Sequence, residues 1–252
     1  MRSRPESGRR RSEAVRLEIP GLFVTGTDTG VGKTVVARAI IQALRAEGVD
    51  VAAMKPVETG VGRDGPADAL ALATATEHSE PLELICPLQF ELPAAPSVAA
   101  ADAQSPLRLE AVRSAWQTLQ SRHEFMVVEG AGGLLVPLMD NFDMADLALE
   151  MRLALVVVAR PALGTINHTL LTIREAERRG LTVLGVIFSH GERVLSAADQ
   201  KNFDALKDTL GDQVLGEVPF LVSPAEIPPS LLDAKTLLQR IQDCDAPNLS
   251  AS

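Results

Sequence analysis

Lys33 and Thr34 follow directly on Gly32, closing a run of small and polar residues, GTDTGVGKT, that begins at Gly26. Apolar residues from Leu22 precede this run and apolar residues at helical spacing follow it, so it reads as the loop between a buried strand and a helix resuming at Gly32-Lys33-Thr34. Backbone N–H groups of such a loop and of the first helical turn lack intrahelical partners, and the helix dipole adds partial positive charge there. A polyphosphate suits that arrangement. Lys33 would reach the β and γ phosphates as a point charge, and the Thr34 hydroxyl would ligate the accompanying Mg²⁺. The usual spacing is G-x-x-x-x-G-K-[ST]; here Thr27 stands at the first glycine's place and the glycine comes one residue earlier, at Gly26. The loop is one residue longer.

Further charged residues fall where apolar runs stop. Val49 to Met54 reads as a short strand ended by Lys55-Pro56, because proline cannot continue a central ladder. Ligands of open α/β sheets bind outside the carboxyl ends of strands, which sets Lys55 on the rim of the phosphate loop. Phe125 to Val128 is a third apolar strand, ended by Glu129 and then Gly130-Ala131-Gly132-Gly133. An acid there suits a Mg²⁺ carboxylate, and the glycines let a ligand approach the backbone. Asp68 lies in the first turn of an Ala/Leu helix, about Pro66 to Thr76, after the glycine-rich loop Gly60 to Gly65. Its position alone is explained by a helix N-terminus, which favours acids.

The elements that must hold these residues alternate regularly. The helix after the phosphate loop ends at Gly48 as a C-cap glycine requires. Residues Pro81 to Pro106 are expected to cross the surface as a long connection, with one strand-like piece near Leu84 to Phe90, before a helix carrying Trp116 and Leu119. Strand 154–159, helix 164–179, strand 182–188, helix 196–210 and strand 213–218 follow, with Gly180 and Gly211 closing the helices. A last helix is expected from about Ser230 to Gln242. The alternation predicts an α/β fold: a doubly wound, mostly parallel sheet flanked by helices, of the P-loop NTPase-like kind, as a single domain over residues 19–243. Residues 1–18, with Arg2, Arg4, Arg9, Arg10, Arg11 and Arg16 and little to bury, are expected to be a disordered extension, and 244–252 a flexible tail.

The chain has 252 residues and a formal net charge of -9, which argues against generic attraction to nucleic acid or acidic membranes. Its apolar runs are strand-length, short of the roughly 20 residues of a membrane span. Cys86 and Cys244 lack metal-ligand spacing and read as reduced thiols of a cytoplasmic protein, and the four histidines are scattered.

Taken in order, GTDTGVGKT at 26–34, KPVETG at 55–60, DALAL at 68–72, VEGAGG at 128–133, LGTINHTLLT at 163–172 and GEVPF at 216–220 resemble the dethiobiotin synthetase family. The match runs from about Leu22 to Leu221 and includes the lengthened loop. The resemblance implies a homodimeric ligase of biotin biosynthesis that converts 7,8-diaminononanoate, CO₂ and MgATP into dethiobiotin, ADP and phosphate through a carbamate and its mixed anhydride with phosphate. It implies Thr34, Asp68 and Glu129 as Mg²⁺ ligands and Lys33 and Lys55 as catalytic residues. Thr29, Gly30, Val31, Gly32, Lys33, Thr34 and Val35, with Asp68, Glu129, Gly130, Ala131 and Gly132, would hold the nucleotide's phosphates and metal; Ser189, His190, Val218, Pro219 and Phe220 would meet the rest of it. Lys55 and Thr59 would face the carbamate and diamine, and Gly164, Thr165, Ile166 and Asn167 would take the substrate carboxylate across the dimer.

Ser189-His190 stands where many members of that family carry an asparagine that reads adenine, which alters hydrogen bonding to the base. Two other kinds of protein share parts of this pattern. A switch ATPase of the partitioning and cell-division kind needs a second lysine five places before Lys33, where this chain has Asp28. A glutamine-dependent amide synthase needs a glutaminase half for which this chain has no room. A non-catalytic nucleotide-binding module would leave Lys55 and Glu129 without a task.

Overall fold

The computed structural model describes residues 21–191, 194–221 and 227–245; the arginine-rich extension 1–18 and residues 246–252 lie outside them. In chain order the elements begin with β1 (Gly21–Gly26), α1 (Lys33–Ala46), β2 (Val51–Met54), β3 (Val57–Thr59), α2 (Ala67–Ala75), α3 (Leu82–Ile85), β4 (Leu88–Phe90), α4 (Pro96–Asp102) and α5 (Leu109–Arg122). They continue with β5 (Phe125–Gly133), β6 (Pro137–Met139), β7 (Phe142–Asp143), α6 (Met144–Glu150), β8 (Ala154–Ala159), α7 (Thr165–Arg178), β9 (Val183–Ser189), α8 (Ala197–Leu210), β10 (Val214–Val218) and α9 (Ala234–Asp245).

Six strands form one parallel sheet in the order β10-β9-β8-β1-β5-β2. Every residue of β1 and β8 is buried, as expected of strands covered on both faces. Leu22 and Val24 face a core built with Val36, Ile40 and Leu44 of α1, whereas Phe23 between them joins Val128, Leu119 and Leu147 on the opposite face. A third cluster lies under α7 and α8, where Phe188 meets Phe203 edge-on at 4.7 Å between centroids. Successive connections run to one side of β1 as far as β2, then to the other through β8. The strand order therefore reverses at β1, and the crevice left at its carboxyl end receives the loop 27–32.

Residues 81–106 differ from the expected surface connection. Leu84 lies in the helical turn α3, and Leu88–Phe90 forms a parallel two-strand ribbon with Val57–Thr59, a strand hidden in the sequence behind Lys55-Pro56. Pro96 opens α4 from its first turn, where proline's missing N–H is no loss, and Ala99 is fully buried. Strand β5 also runs on past Val128 to Gly133, because the glycines keep pairing with β1: Val24 lies opposite Glu129 and Gly26 opposite Gly133, with a register shift between. The last helix starts at Ala234 because Pro229–Leu231 forms a 3₁₀ turn and the Asp233 carboxylate then accepts the amides of Lys235 and Thr236. Cys244 and Asp245 belong to that helix, not to a tail. Buried Cys86 has its thiol pushed up to about 12, first by burial and then by Glu58, in keeping with an inert thiol.

The hairpin β6–β7 and helix α6 had no counterpart in the sequence reading. Asn141 takes a positive φ of 56° at the turn, and Asp143 then caps α6: its Oδ1 accepts the amides of Ala145 (2.9 Å) and Asp146 (3.1 Å), while Asp146 accepts the Asp143 amide in return. Arg179, beyond α7, pairs with both acids at 2.9 and 3.3 Å. Asp143→Ala is expected to lower stability by about 1–2 kcal/mol, read as a lower urea midpoint at an unchanged slope; an unmoved midpoint would remove the cap from the list of contributors.

Candidate active site

Two glycines fix the phosphate loop. A side chain at Gly26 would stand 2.8 Å from the Asp28 carbonyl oxygen and 3.1 Å from Lys33 Nζ, so glycine there leaves the lysine its path. Gly32 has φ 92°, and a Cβ on it would meet Ser189 Oγ at 2.2 Å. Lys33 is buried and donates to the Asp28 carbonyl at 3.1 Å, folded back over the loop. Burial, followed by the neighbouring charge of Lys55, pushes its ammonium below the ordinary lysine value, while Glu129, Asp68 and Asp28 oppose the shift. Thr29 sits exposed at the loop's tip, its amide donating to Asp28 Oδ1 at 2.7 Å.

Four of the expected residues meet beside that lysine. Lys55 Nζ, 3% exposed, donates to Glu129 Oε1 at 2.5 Å, to Asp68 Oδ2 at 2.9 Å and to the Gly130 carbonyl at 3.4 Å. The Thr34 hydroxyl is shared between Asp68 Oδ1 (2.8 Å) and Glu129 Oε1 (2.9 Å). Burial alone would push the Lys55 ammonium down, but Glu129 and Asp68 together hold it well above its ordinary value, so it stays charged. Burial likewise pushes the Glu129 carboxyl up and Lys55 pulls it back; burial also pushes up the half-exposed Asp68, but Lys55, the Thr34 hydroxyl and Lys33 together outweigh it, and its carboxyl is lowered.

The sequence reading missed Glu58. It lies on β3, and its two oxygens accept the amides of Asp68 and Ala69, each at 2.9 Å. The only trace in the sequence is an acid between Val57 and Thr59, at strand alternation in a strand that was not foreseen.

Thr34 Oγ1, Asp68 Oδ1 and Glu129 Oε1 form a cluster of hard oxygen donors, and Glu129 Oε2 is buried with no hydrogen-bond partner among the described residues. Among the described residues no group of three or more His, Cys, Asp or Glu could hold a metal ion. Two carboxylates and a hydroxyl do not close a cage, but they fit Mg²⁺, which keeps waters and takes phosphate oxygens to complete six ligands. The residues present therefore fit that ion.

Beyond the loop lies a cavity of about 430 Å³. Gly30, Val31, Gly32 and Val35 line one side, and Ser189, His190, Pro219 and Phe220 the other. Val218 does not line it: its side chain is buried, and its carbonyl accepts the His190 amide at 2.9 Å. The His190 ring is held by Glu217 at 3.2 Å and by the edge of Phe203. Gly130, Ala131 and Gly132 continue β5 behind the loop, and Thr59 closes β3, half-buried. Gly164, Thr165, Ile166 and Asn167 stand apart at the start of α7: Gly164, Ile166 and Asn167 line a second hollow that shares no lining residue with the first, and Thr165 is buried. Leu163 is 83% exposed at its edge, and the buried Thr165 hydroxyl has no hydrogen-bond partner among the described residues.

Fold and loop together define a nucleotide-binding α/β protein. Residues 20–225 match the AAA domain family. A plasmid partition protein from Borrelia burgdorferi B31 solved with AMPPNP covers 90% of this chain and is itself 99% covered, with a TM-score of 0.53 at 10% identity; a ParA family ATPase from Chlorobium tepidum TLS covers 89%, is 99% covered, and gives 0.50 at 13%. At such identities only the fold is shared. An ATP-dependent dethiobiotin synthetase from Anaeromyxobacter dehalogenans is 51% identical over 67% of this chain and 76% of its own length. Counterparts from Thermodesulfovibrio yellowstonii and Bacillus velezensis are 38% and 40% identical over 80% and 79% of this chain, and 89% and 86% of their own. The chain belongs to the ATP-dependent dethiobiotin synthetase family.

Gly32→Ala forces a side chain into a left-handed conformation, which costs on the order of 1–3 kcal/mol before the contact with Ser189 is counted. The expected outcome is at least about a tenfold loss of affinity for a fluorescent ATP analogue, and unchanged binding would mean the nucleotide does not use this loop.

Proposed function

We propose that this chain joins CO₂ to 7,8-diaminononanoate at the expense of MgATP and closes the ureido ring of dethiobiotin. The observation that carries this reading is the cluster of Lys55, Thr34, Asp68 and Glu129 beside Lys33, at the carboxyl ends of β1, β2 and β5, in a chain 38–51% identical to the synthetases above.

One amine of the substrate adds to CO₂ and loses a proton, leaving a carbamate anion. Its oxygen attacks the γ-phosphorus and ADP departs, giving a carbamic-phosphoric anhydride. The second amine then attacks the carbamate carbon, the C–O bond to phosphate breaks, and orthophosphate leaves as the ring closes. The first transfer brings two anions together, so fixed positive charge supplies most of the acceleration. Lys33 turns from the Asp28 carbonyl to the β and γ phosphates. Lys55, kept charged by its two acids, faces the carbamate. Thr34, Asp68 and Glu129 would hold Mg²⁺, which when bound neutralises charge on the phosphates.

The cavity between Gly32 and Ser189 would take the ribose and base, with His190, Pro219 and Phe220 as its far wall and the Val218 carbonyl anchoring the turn that carries His190. Thr59 would border the diamine. A second copy of the chain would bring Gly164, Thr165, Ile166 and Asn167 to the substrate carboxylate, since a helix N-terminus favours an anion. The Thr165 hydroxyl, without a hydrogen-bond partner among the described residues, and the exposed Leu163 and Leu171 support that use of the surface. The partition ATPases that share the fold are separated from this reading by Asp28, whose carbonyl here receives Lys33 where they would need a second lysine.

The test is ADP release from MgATP with and without bicarbonate and 7,8-diaminononanoate, repeated with CTP and GTP. Release that requires both co-substrates is expected; release indifferent to the diamine would point to a switch-type ATPase. In the same assay Lys55→Ala should reduce turnover by about 10²–10³-fold, the usual effect of removing one preorganised charge, with a smaller change in nucleotide affinity. An unaltered rate would make Lys55 a structural ion-pair residue.

A further inference from the structure

Helix α2 begins at Ala67 after Pro66, which offers no side chain to cap it. The amides of Asp68 and Ala69, second and third in the helix, are those an N-cap side chain ordinarily satisfies. Here both are taken by one carboxylate from a different strand, Glu58 of β3, at 2.9 Å to each oxygen. Glu58 is itself buried, and a buried carboxylate is tolerated only where hydrogen bonds and nearby charge compensate its lost hydration. Burial pushes its carboxyl up, the two amides pull it back, and the positive end of the helix dipole favours the ionised form.

The consequence falls on Asp68. Its carboxylate is half-exposed, yet Oδ1 must stay at Thr34 and Oδ2 at Lys55. Neither contact fixes the backbone from which that side chain projects; Glu58 does, by holding the Asp68 amide itself.

We infer that Glu58 is a positioning residue: it caps α2 from β3 and sets Asp68 in register with Thr34 and Lys55, and through Asp68 it sets the affinity of the site for a divalent cation. This rests on the reading of Thr34, Asp68 and Glu129 as metal ligands. Among the described residues the hydrogen bonds of Glu58 go to Asp68 and Ala69 and none to the phosphate loop, so metal-free nucleotide binding through Lys33 is independent of it.

The experiment titrates Mn²⁺, followed by electron paramagnetic resonance, into the full chain saturated with ADP, for the wild type, Glu58→Ala and Glu58→Gln. ADP affinity in EDTA is measured alongside. Removing a partner that orients a metal ligand typically weakens metal binding by about 10–100-fold, and Glu58→Ala should fall in that range with ADP affinity in EDTA unchanged. Glu58→Gln keeps one acceptor but turns an amide donor toward the second N–H, so it should fall between the two. Should Glu58→Ala fail to fold, Glu58→Gln carries the comparison alone. Equal Mn²⁺ affinity in the wild type and the variants overturns the positioning role, as does an equal fall in ADP affinity in EDTA, which would mark a general structural effect. A wild-type ADP complex that binds no Mn²⁺ would instead remove the metal reading, and the role of Glu58 with it.

Discussion

The arrangement depends on a lysine that water scarcely reaches. Taking the Lys55 ammonium out of solvent is unfavourable by itself, and only the two carboxylates and the Gly130 carbonyl make its position tenable. Those partners come from α2 and β5, and the lysine from the end of β2, so three elements distant in sequence must be correctly placed before the charge can be buried. The same requirement runs the other way: Glu129, wholly inside the protein, has no other cation beside it within ion-pair distance among the described residues. Charge balance and site assembly are therefore one condition. A site built in this way is in place before its substrates arrive, and preorganised charge of this kind speeds a reaction in which anions must meet.

Topology makes that assembly possible. With β1 central and the connections diverging on either side of it, the carboxyl ends of β1, β5 and β2 open on one crevice while those of β8, β9 and β10 open beside it. The phosphate loop sits at the divergence, the charged cluster on one side and the cavity lined by Ser189 and His190 on the other. Gly32 is the hinge between them, since its bare α-carbon lets the loop lie against Ser189.

Much of this was legible from the residues. The long apolar strands and amphipathic helices gave the doubly wound fold; Lys33 and Thr34 were recognisable because they close a glycine-rich loop where a helix resumes, and Lys55 and Glu129 because each stands where an apolar run stops. Asp68 was not: position gave it a helix N-terminus, and only the resemblance made it a ligand. What escaped was held by non-local pairing. The ribbon of Val57–Thr59 with Leu88–Phe90 has strands too short for any period, and its partners are separated by α2 and α3. Glu58 was invisible because it sits on that unmarked strand, and its role exists only where β3 meets the start of α2. Helix α6 is only seven residues long, too short for a helical period to stand out, so its start is marked by the Asp143–Asp146 cap.

The outermost strands carry a further implication. A parallel sheet exposes unpaired backbone along its two borders, and each border invites another chain to add a strand. On one side β2 is only four residues long and runs straight into Lys55-Pro56, a charge already engaged and a residue with no N–H to offer. On the other, the pairing of β10 slips in register between Val214 and Gly216, and Glu217 follows with its carboxylate already bonded to Lys207 and His190. Both borders are poor templates for growth of the sheet, through features that also serve the site: the residues that end β2 begin the charged cluster, and Glu217 at the far border steadies the histidine of the cavity beside the loop. A second copy of the chain, or any other partner, would find better purchase on the helices that flank the sheet than on either of its borders.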